Sequence, residues 1–361
     1  MNDQTKYCIL DLCKKYEPVF ILDVYNYIFR FHFAHKDLSI TTEEGQTFLT
    51  GHLYGFTKNL LYLKEKFPNC AVVMCVDGHD KERREILPEY KAHREHEINP
   101  ADDLHVLTSF CSLVDGVYVC YDENYEADDA AASVTRTLKH LCNKFNIDKQ
   151  IYLLSSDKDW WQLIDDGIGN HCKVATVKKW GLGEKWFTEA EIITEDKVKE
   201  EFNGVSPKNL LKFRAITGDT SDNIKGYYRF FKKNAAIIAE NFDYDRDNNT
   251  LNLKDGVDMR SSWSKFLNTI TNDITTFSNN YRVMSLKDFD FTLSSISQNV
   301  SEDTVNNILQ ALQKLKLYYY LSNVGRYSSY KPIIDKFLSQ DTQMEEDLKV
   351  DTIEANLEDL L

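Results

Sequence analysis

The sequence has no uninterrupted apolar run that approaches the roughly 20 residues needed to cross a bilayer, which argues against a membrane-spanning helix. Its first residues, MNDQTKYCILDLCKKYE, lack a basic stretch followed by an apolar one, so we expect no signal peptide. The eight cysteines include no CxxC pair, and no internal repeat is visible. We therefore expect small, buried, reduced cysteines and a cytoplasmic protein.

Basic residues are outnumbered, because 43 Lys and Arg stand against 57 Asp and Glu and the formal net charge is −14 at pH 7. Residues 340–361 carry eight acids against one lysine, so half of the excess lies in these last 22 residues. Basic stretches nonetheless occur at 81–85, 90–94, 173–180 and 229–233. Since a groove can have its own sign, the acidic total argues against indiscriminate coating of DNA but not against a focused nucleic-acid site.

Apolar segments of β type alternate with helical stretches in the first half of the chain. Strands are expected at 18–23, 71–77, 117–121, 151–155 and 173–177. Helices are expected at about 46–66, 102–114, 126–142 and 159–165. This alternation predicts an α/β fold with a doubly wound, mostly parallel sheet flanked by helices.

The length of 361 residues suggests two domains. We expect an α/β domain over 1–200, a mainly helical domain over 201–338 and an acidic tail over 339–361. A helix is predicted near the start of the second domain, with Ser206 as N-cap, Pro207 at the first helical position and Gly218 at its end. The polar stretch at 242–257 is expected to form a loop or a short hairpin.

Acidic residues stand at, or just after, the ends of four predicted strands. They are Asp23 after the first strand, Asp77 after the second, Glu126, Asp128 and Asp129 after the third, and Asp157 and Asp159 after the fourth. Ligands bind at the carboxyl ends of the strands in such a sheet, so these side chains are expected to meet there. Several carboxylates cannot all stay ionised in one place unless a cation neutralises them. Hard oxygen ligands without His or Cys indicate Mg²⁺ or Mn²⁺.

Three local motifs carry a family resemblance. They are YEADDAA at 125–131, SSDKDWWQL at 155–163 and ITGDTSDNI at 216–224. With Asp23 and Asp77 they resemble the 5′-nuclease superfamily, which comprises flap endonucleases, the 5′-nuclease domains of bacterial DNA polymerases and phage 5′-exonucleases. The chain looks most similar to phage enzymes such as the ribonuclease H of T-even phages. The resemblance covers roughly residues 18–235 and implies a PIN-like nuclease fold with a helical DNA-binding domain.

The resemblance implies two divalent ions, Mg²⁺ with Mn²⁺ able to substitute. One ligand group is Asp23, Asp77, Glu126, Asp128 and Asp129, and the other is Asp157, Asp159, Asp219 and Asp222. Two metals about 4 Å apart can hold both the attacking water and the leaving 3′-oxygen of a phosphodiester displacement. The alternative for Asp128 or Asp222 alone is that acids favour helix N-termini for dipole reasons. Trp160 and Trp161 are expected to pack beneath the second motif, because Trp is usually buried.

The segment after Asp77 corresponds to the helical arch of the family, at about 78–100. Lys91 and Arg94 match basic positions that contact the scissile phosphate, and Arg83 and Arg84 match the preceding basic pair. We expect these four residues to be catalytic and the Tyr90 ring to stack on an unpaired base. An exposed helix of mixed charge is the alternative, because glutamates interrupt the basic face.

After Asp222 the resemblance implies a helix-hairpin region, at about 206–240, that holds duplex backbone, often with a potassium ion. Gly226 is present, but Phe230 and Phe231 stand where later glycines are expected. Bulky residues rarely adopt positive φ, which argues against the potassium site. Side chains expected to clamp duplex phosphates are Lys225, Arg229, Lys232 and Lys233.

These features predict a monomeric, structure-specific 5′-3′ exonuclease and flap endonuclease of a phage-type replication system. Its expected substrates are DNA and RNA–DNA hybrids with 5′ ends or flaps, including RNA primers. The tail resembles a peptide for a sliding clamp or a single-strand-binding protein, and a self-docking helix is its alternative. Two other functions stay open: a PIN-like ribonuclease for single-stranded RNA, and a non-catalytic, structure-specific DNA-binding protein.

Overall fold

The computed structural model describes most of the chain up to residue 296. The described residues are 1–41, 45, 47–93, 104, 107–108, 110–112, 114–179 and 190–296. The predictions for Arg94, for most of the helix at 102–114 and for the tail at 339–361 lie outside the described residues.

A seven-stranded, mostly parallel sheet is at the centre of the described structure, which confirms the predicted α/β class. Its strands are β1 (Val19–Asp23), β4 (Ala71–Val76), β5 (Val117–Tyr121), β6 (Lys149–Leu154), β7 (Cys172–Lys179), β8 (Glu191–Ile193) and β13 (Leu293–Ser295). They lie in the order β13-β5-β4-β1-β6-β7-β8. The five inner strands are parallel, and the edge strands β8 and β13 are antiparallel to their neighbours.

Helices cover both faces of this sheet. They are α1 (Asp3–Lys14), α2 (Val24–Ala34), α3 (Gly51–Lys66) and α5 (Ala127–Phe145), whereas α4 (Lys81–Ile86) packs through Ile86 against a separate small cluster. A small ribbon of β2 (Ser39–Thr41) and β3 (Thr47–Leu49) precedes α3, so the helix predicted from about residue 46 begins later. The segment expected as a helix near 159–165 is a short 3₁₀ turn, Lys158–Leu163.

Strand β1 shows why the sheet is buried on both sides. Phe20 and Leu22 belong to the apolar cluster that α2 and α3 cover, whereas Val19 and Ile21 belong to the cluster covered by α1 and α5. Successive side chains of a strand point to opposite faces, so an unbroken apolar run fills two cores at once. The eight cysteines are all free and buried, as expected.

The second half of the described chain is mainly helical around a third apolar cluster. Its elements are α6 (Glu195–Glu201), α7 (Pro207–Thr217), β9 (Gly218–Asp219), β10 (Ile224–Lys225), α8 (Lys232–Asn241), β11 (Phe242–Asp245), β12 (Thr250–Leu253), α9 (Ser261–Thr271) and α10 (Ile274–Met284). The polar stretch expected as a loop or hairpin is the β11–β12 hairpin. Among the described helices, none combines the length and apolar character that a membrane crossing requires.

Helix α7 has the predicted ends. It begins with Pro207 at its first turn and ends at Gly218, whose φ of 72° is easy only for glycine. Ser206 holds the N-cap position, but its hydroxyl donates to Glu240 rather than capping the helix. Strand β13 then returns to the first sheet beside β5, so residues beyond 201 also build the α/β layer. The division into two domains stays a prediction.

The double-sided burial of the sheet predicts a clear stability difference between two isoleucines. Ile151 of β6 is fully buried, whereas Ile168 is 89% exposed. Ile151→Ala is expected to lower the free energy of unfolding by about 2–5 kcal/mol, because a cavity remains in the core. Ile168→Ala, the matched control, is expected to stay within about 0.5 kcal/mol of the parent. Urea unfolding checks both, and similar losses in the two variants would contradict the assigned core.

Candidate active site

Four of the predicted ligands meet at the carboxyl edge of the sheet. Asp23 ends β1, Asp77 follows β4, Asp128 lies in the first turn of α5, and Asp157 follows β6. All four line one cavity of about 380 Å³, and Lys91 also lines it. The parallel registers bring these strand ends level, since Leu22 pairs with Leu154 and Asp23 with Cys75.

The negative charges in this cavity repel one another. Burial, and then the negative charge of Asp77, raise the pKa of Asp23 to about 7, although the Asn26 amide partly offsets them. Burial, and then Asp157, also raise the pKa of Asp128 well above its ordinary value. These carboxylates therefore resist full ionisation until a cation joins them.

Hydrogen bonds orient each carboxylate. Asp23 caps α2 by accepting from the Asn26 amide at 3.0 Å, and Asp77 accepts from the Ala127 amide at the start of α5 at 2.8 Å. These contacts fit the alternative that acids lie at helix N-termini because of the helix dipole. Both side chains nevertheless line the cavity as well. The buried Trp160 ring packs as predicted, and its Nε1 donates to Asp128 Oδ1 at 2.5 Å. That hydrogen bond could not be predicted from the sequence motif.

Glu126 lies behind the cavity in a cationic setting. Arg83 Nη1 is 2.7 Å from its Oε2, and Lys91 Nζ donates to Oε1 at 2.5 Å. Burial alone would raise the pKa of Glu126, but Lys91 and Arg83 outweigh it and the pKa is lowered. The Tyr90 hydroxyl completes the group by donating to Oε2 at 3.1 Å.

Asp129 and Arg83, which were predicted as a metal ligand and a catalytic residue, form a buried ion pair. Asp129 is fully buried, and Arg83 Nη1 and Nη2 donate to its two oxygens at 2.7 and 2.8 Å. The Lys287 amide adds a third hydrogen bond to Asp129 at 2.8 Å. Arg83 Nε also donates to the Val283 carbonyl at 2.9 Å. The carboxylate of Asp129 and the guanidinium of Arg83 thus bind each other in this structure, and their roles as metal ligand and catalytic residue stay predictions.

The second predicted ligand group contains a cation that sequence reasoning missed. Arg214, in the last turn of α7, forms ion pairs with Asp159 and Asp219. Its Nε lies 3.1 Å from Asp159 Oδ1, although without the alignment of a hydrogen bond. Burial raises the pKa of Asp159 to about 7, even though Arg214 opposes that shift. Asp222 is buried, and its carbonyl accepts from the Lys91 amide at 3.1 Å.

The predicted cage of metal ligands is thus only partly assembled. Within the described ranges, no three Asp, Glu, His or Cys side chains form a ready ligand set for one ion. Arg83, Lys91 and Arg214 neutralise the acids that surround the cavity. The cavity itself keeps a donor set of carboxylates, two of which, Asp23 and Asp128, have raised pKa values, and such a set fits a hard divalent cation.

The residues predicted to contact nucleic acid differ in how exposed they are. Tyr90 is only 3% exposed and packs with Ile224, Val283 and Met284, so stacking of its ring on a base is wrong. Arg84 lies at the surface and pairs with Asp80 at 2.7 Å, outside the cavity lining. The four predicted phosphate clamps are all exposed: Lys225, Arg229, Lys232 and Lys233.

Comparison with known proteins identifies the family. Residues 18–203 match the family described as 5′-3′ exonuclease, N-terminal resolvase-like domain. The chain belongs to this family. It is therefore a nuclease of the 5′-3′ exonuclease family.

Individual relatives agree with this membership. A 5′-3′ exonuclease of Aquifex aeolicus (strain VF5) is 26% identical over 318 residues, which are 86% of this chain and 96% of that protein. The thermostable DNA polymerase I of Thermus filiformis is 27% identical over 235 residues, which are 64% of this chain but 25% of that protein. The T5 D15 protein, co-crystallised with metal ions, shares the fold with a TM-score of 0.50 at 18% identity, over 83% of this chain and 99% of that chain.

The Arg83–Asp129 pair predicts a selective stability loss in this nuclease. Asp129→Asn is expected to lower the free energy of unfolding by about 3–5 kcal/mol, because part of a buried positive charge loses its partner. Asp77→Asn, the matched control on the cavity wall, is expected to change it by less than about 1 kcal/mol or to raise it. Urea unfolding in EDTA measures both, and equal effects would contradict the structural role of Asp129.

The raised pKa of Asp23 predicts how the metal-free protein responds to pH. Its pKa is about 7 in the folded chain and about 4 when unfolded, so the folded state binds more protons between these values. The free energy of unfolding is therefore expected to fall by about 2–4 kcal/mol as pH rises from about 4 to 7. Asp23→Asn should reduce this fall, while the exposed control Asp258→Asn should keep it. Urea unfolding across that pH range in EDTA checks both, and an unchanged fall in Asp23→Asn would refute the assignment.

Proposed function

We propose that this nuclease is a Mg²⁺-dependent, structure-specific 5′-3′ exonuclease and flap endonuclease, with Mn²⁺ able to substitute. Its proposed substrates are DNA and RNA–DNA hybrids with 5′ ends or flaps, including RNA primers in a phage-type replication system. The observation that carries this proposal is the cavity in which carboxylates from four strand ends face Lys91. The 5′-3′ exonuclease relative that aligns over most of this chain supports the polarity of the reaction.

The cavity carboxylates would hold the metal. They are Asp23, Asp77, Asp128 and Asp157. When bound there, Mg²⁺ supplies an activated water and offsets charge on the phosphodiester. A second ion at Asp159, Asp219 and Asp222 belongs to the same proposal. It requires the Arg214 guanidinium to withdraw, because Arg214 already neutralises two of those acids.

Lys91 is the cation that the chain itself brings to the cavity. Glu126 accepts from its ammonium, and the Asp222 carbonyl accepts from its amide. Its backbone is in the left-handed region, with φ at 53°, which is a constrained conformation for a lysine. Held in this way, the ammonium would contact the scissile phosphate and stabilise the charge that develops on its oxygens.

The proposal predicts a metal-dependent cleavage that Asp157→Asn abolishes. Loss of this cavity carboxylate is expected to lower the cleavage rate of a 5′-flap duplex in Mg²⁺ by at least about 100-fold. The exposed control Asp258→Asn should cleave at the parental rate. The same assay on a nicked RNA–DNA hybrid, with product sizes resolved, measures the ratio of exonuclease products to flap-cleavage products.

Three outcomes of that assay would overturn the proposal. Full activity of Asp157→Asn would place the chemistry elsewhere. Faster cleavage of a plain RNA strand than of the flap would favour a PIN-like ribonuclease. Flap binding without cleavage by the parent in Mg²⁺ or Mn²⁺ would favour a non-catalytic DNA-binding protein.

A further inference from the structure

The segment 225–233, here named the aromatic loop, runs from the last residue of β10 into the first turn of α8. Its sequence, KGYYRFFKK, contains four aromatic residues and four cations and no acid. The loop begins three residues after Asp222, whose carbonyl holds the Lys91 amide. It therefore adjoins, along the chain, the acids that flank the proposed active site.

Half of the aromatic side chains anchor the loop. The Tyr227 hydroxyl donates to the Asp273 carbonyl at 2.6 Å and accepts from the Phe277 amide at 3.1 Å. Phe230 packs against Phe266, with 6.0 Å between the ring centroids. The Tyr227 amide also donates to the Ile216 carbonyl at 2.9 Å. These contacts fix the backbone of the loop on α7, α9 and α10.

The start of the loop is equally constrained. A Cβ atom on Gly226 would lie 2.1 Å from the Thr217 carbonyl oxygen, so only glycine fits there. The Asn280 amide donates to the Lys225 carbonyl at 2.8 Å. The backbone of the loop is thus anchored at its start as well as through Tyr227 and Phe230.

The other two aromatic side chains point to solvent. Tyr228 is 83% exposed and Phe231 is 74% exposed. Arg229 lies between them in the left-handed region, with φ at 54°, and its guanidinium is 5.0 Å from the Tyr228 ring centroid. The backbone turns at Arg229 so that Phe230 packs inward while Tyr228 and Phe231 stay outside. A strained turn that displays two apolar rings on a fixed base needs a reason other than packing.

The charge around these rings identifies the partner. The four cations of the loop are exposed: Lys225, Arg229, Lys232 and Lys233. In the described part of the chain, none of them forms an ion pair with an acid. Aromatic faces surrounded by cations are typical of single-stranded nucleic-acid platforms, where bases stack on the rings and phosphates contact the cations. An apolar protein partner would not require this uniform positive charge.

We propose that Tyr228 and Phe231 stack on unpaired bases of the substrate, next to the end of its duplex. The proposal rests on the proposed nuclease function and adds a specificity determinant to it. The aromatic loop would distinguish a duplex with a single-stranded tail from a blunt duplex. Its cations would contact the backbone of either substrate, whereas its rings would contact only the tailed one.

Equilibrium binding in EDTA tests this without cleavage, with the full chain and two probes. One is a duplex with a 5′ single-stranded tail that carries 2-aminopurine at the junction, and the other is the blunt duplex. Tyr228→Ala and Phe231→Ala are each expected to weaken binding of the tailed probe by about 5- to 100-fold. They should leave blunt-duplex binding within about twofold and lose the quenching of 2-aminopurine. Tyr228→Phe and Phe231→Trp should retain tight binding of the tailed probe and the quenching, whereas Phe231→Leu should lose both.

Tyr7→Ala is the matched control, because Tyr7 is 74% exposed on α1, far along the chain from the loop. Equal losses on both probes, or full binding by Phe231→Leu, would overturn stacking in favour of backbone or apolar contact. Unchanged DNA binding together with lost self-association in sedimentation would assign the surface to a second copy of the chain. Since the binding assay contains no Mg²⁺, its result is independent of whether the flap is cleaved.

Discussion

Repulsion among carboxylates at the carboxyl edge of the sheet is the constraint on which the arrangement of this nuclease depends. Parallel pairing of β1, β4, β5 and β6 brings acids from distant parts of the sequence to one edge. Such a concentration of negative charge would destabilise the fold if it stayed uncompensated. Cations from other elements compensate this charge: Arg83 and Lys91 from the segment after β4, and Arg214 from α7.

These cations also connect the two halves of the described chain. Arg83 binds Asp129 in α5 and the Val283 carbonyl in α10, and the Lys91 amide binds the Asp222 carbonyl. Tyr90 packs in the same small cluster as Ile224 and Val283. The position of Lys91 in the cavity therefore depends on the helical half as well as on the sheet. A shift of that half on binding nucleic acid would reach the cavity through these contacts.

The fold and the location of the site were predictable from local sequence, because strand periodicity and acids at strand ends are properties of neighbouring residues. The roles of individual residues were not, since they depend on partners far along the chain. Asp129 looks equivalent to Asp128 in the sequence, but one helical position turns it from the cavity toward Arg83, 46 residues away. Tyr90 stands beside a basic residue, as a stacking residue would, yet it lies in a core formed with residues more than 130 positions distant. Arg214 gave no motif signal because its partners include an acid from another strand end.

The return of β13 to the first sheet has a consequence for how this chain can be divided. The family match ends at residue 203, but the outer edge of β5 is covered by residues 293–295. The Leu293 amide also donates to the Thr5 hydroxyl at 3.1 Å, so the late strand closes against the first helix. A fragment that ended at residue 203 would expose the unpaired backbone N–H and C=O groups along the edge of β5. Such an edge favours pairing with other copies of the chain and aggregation.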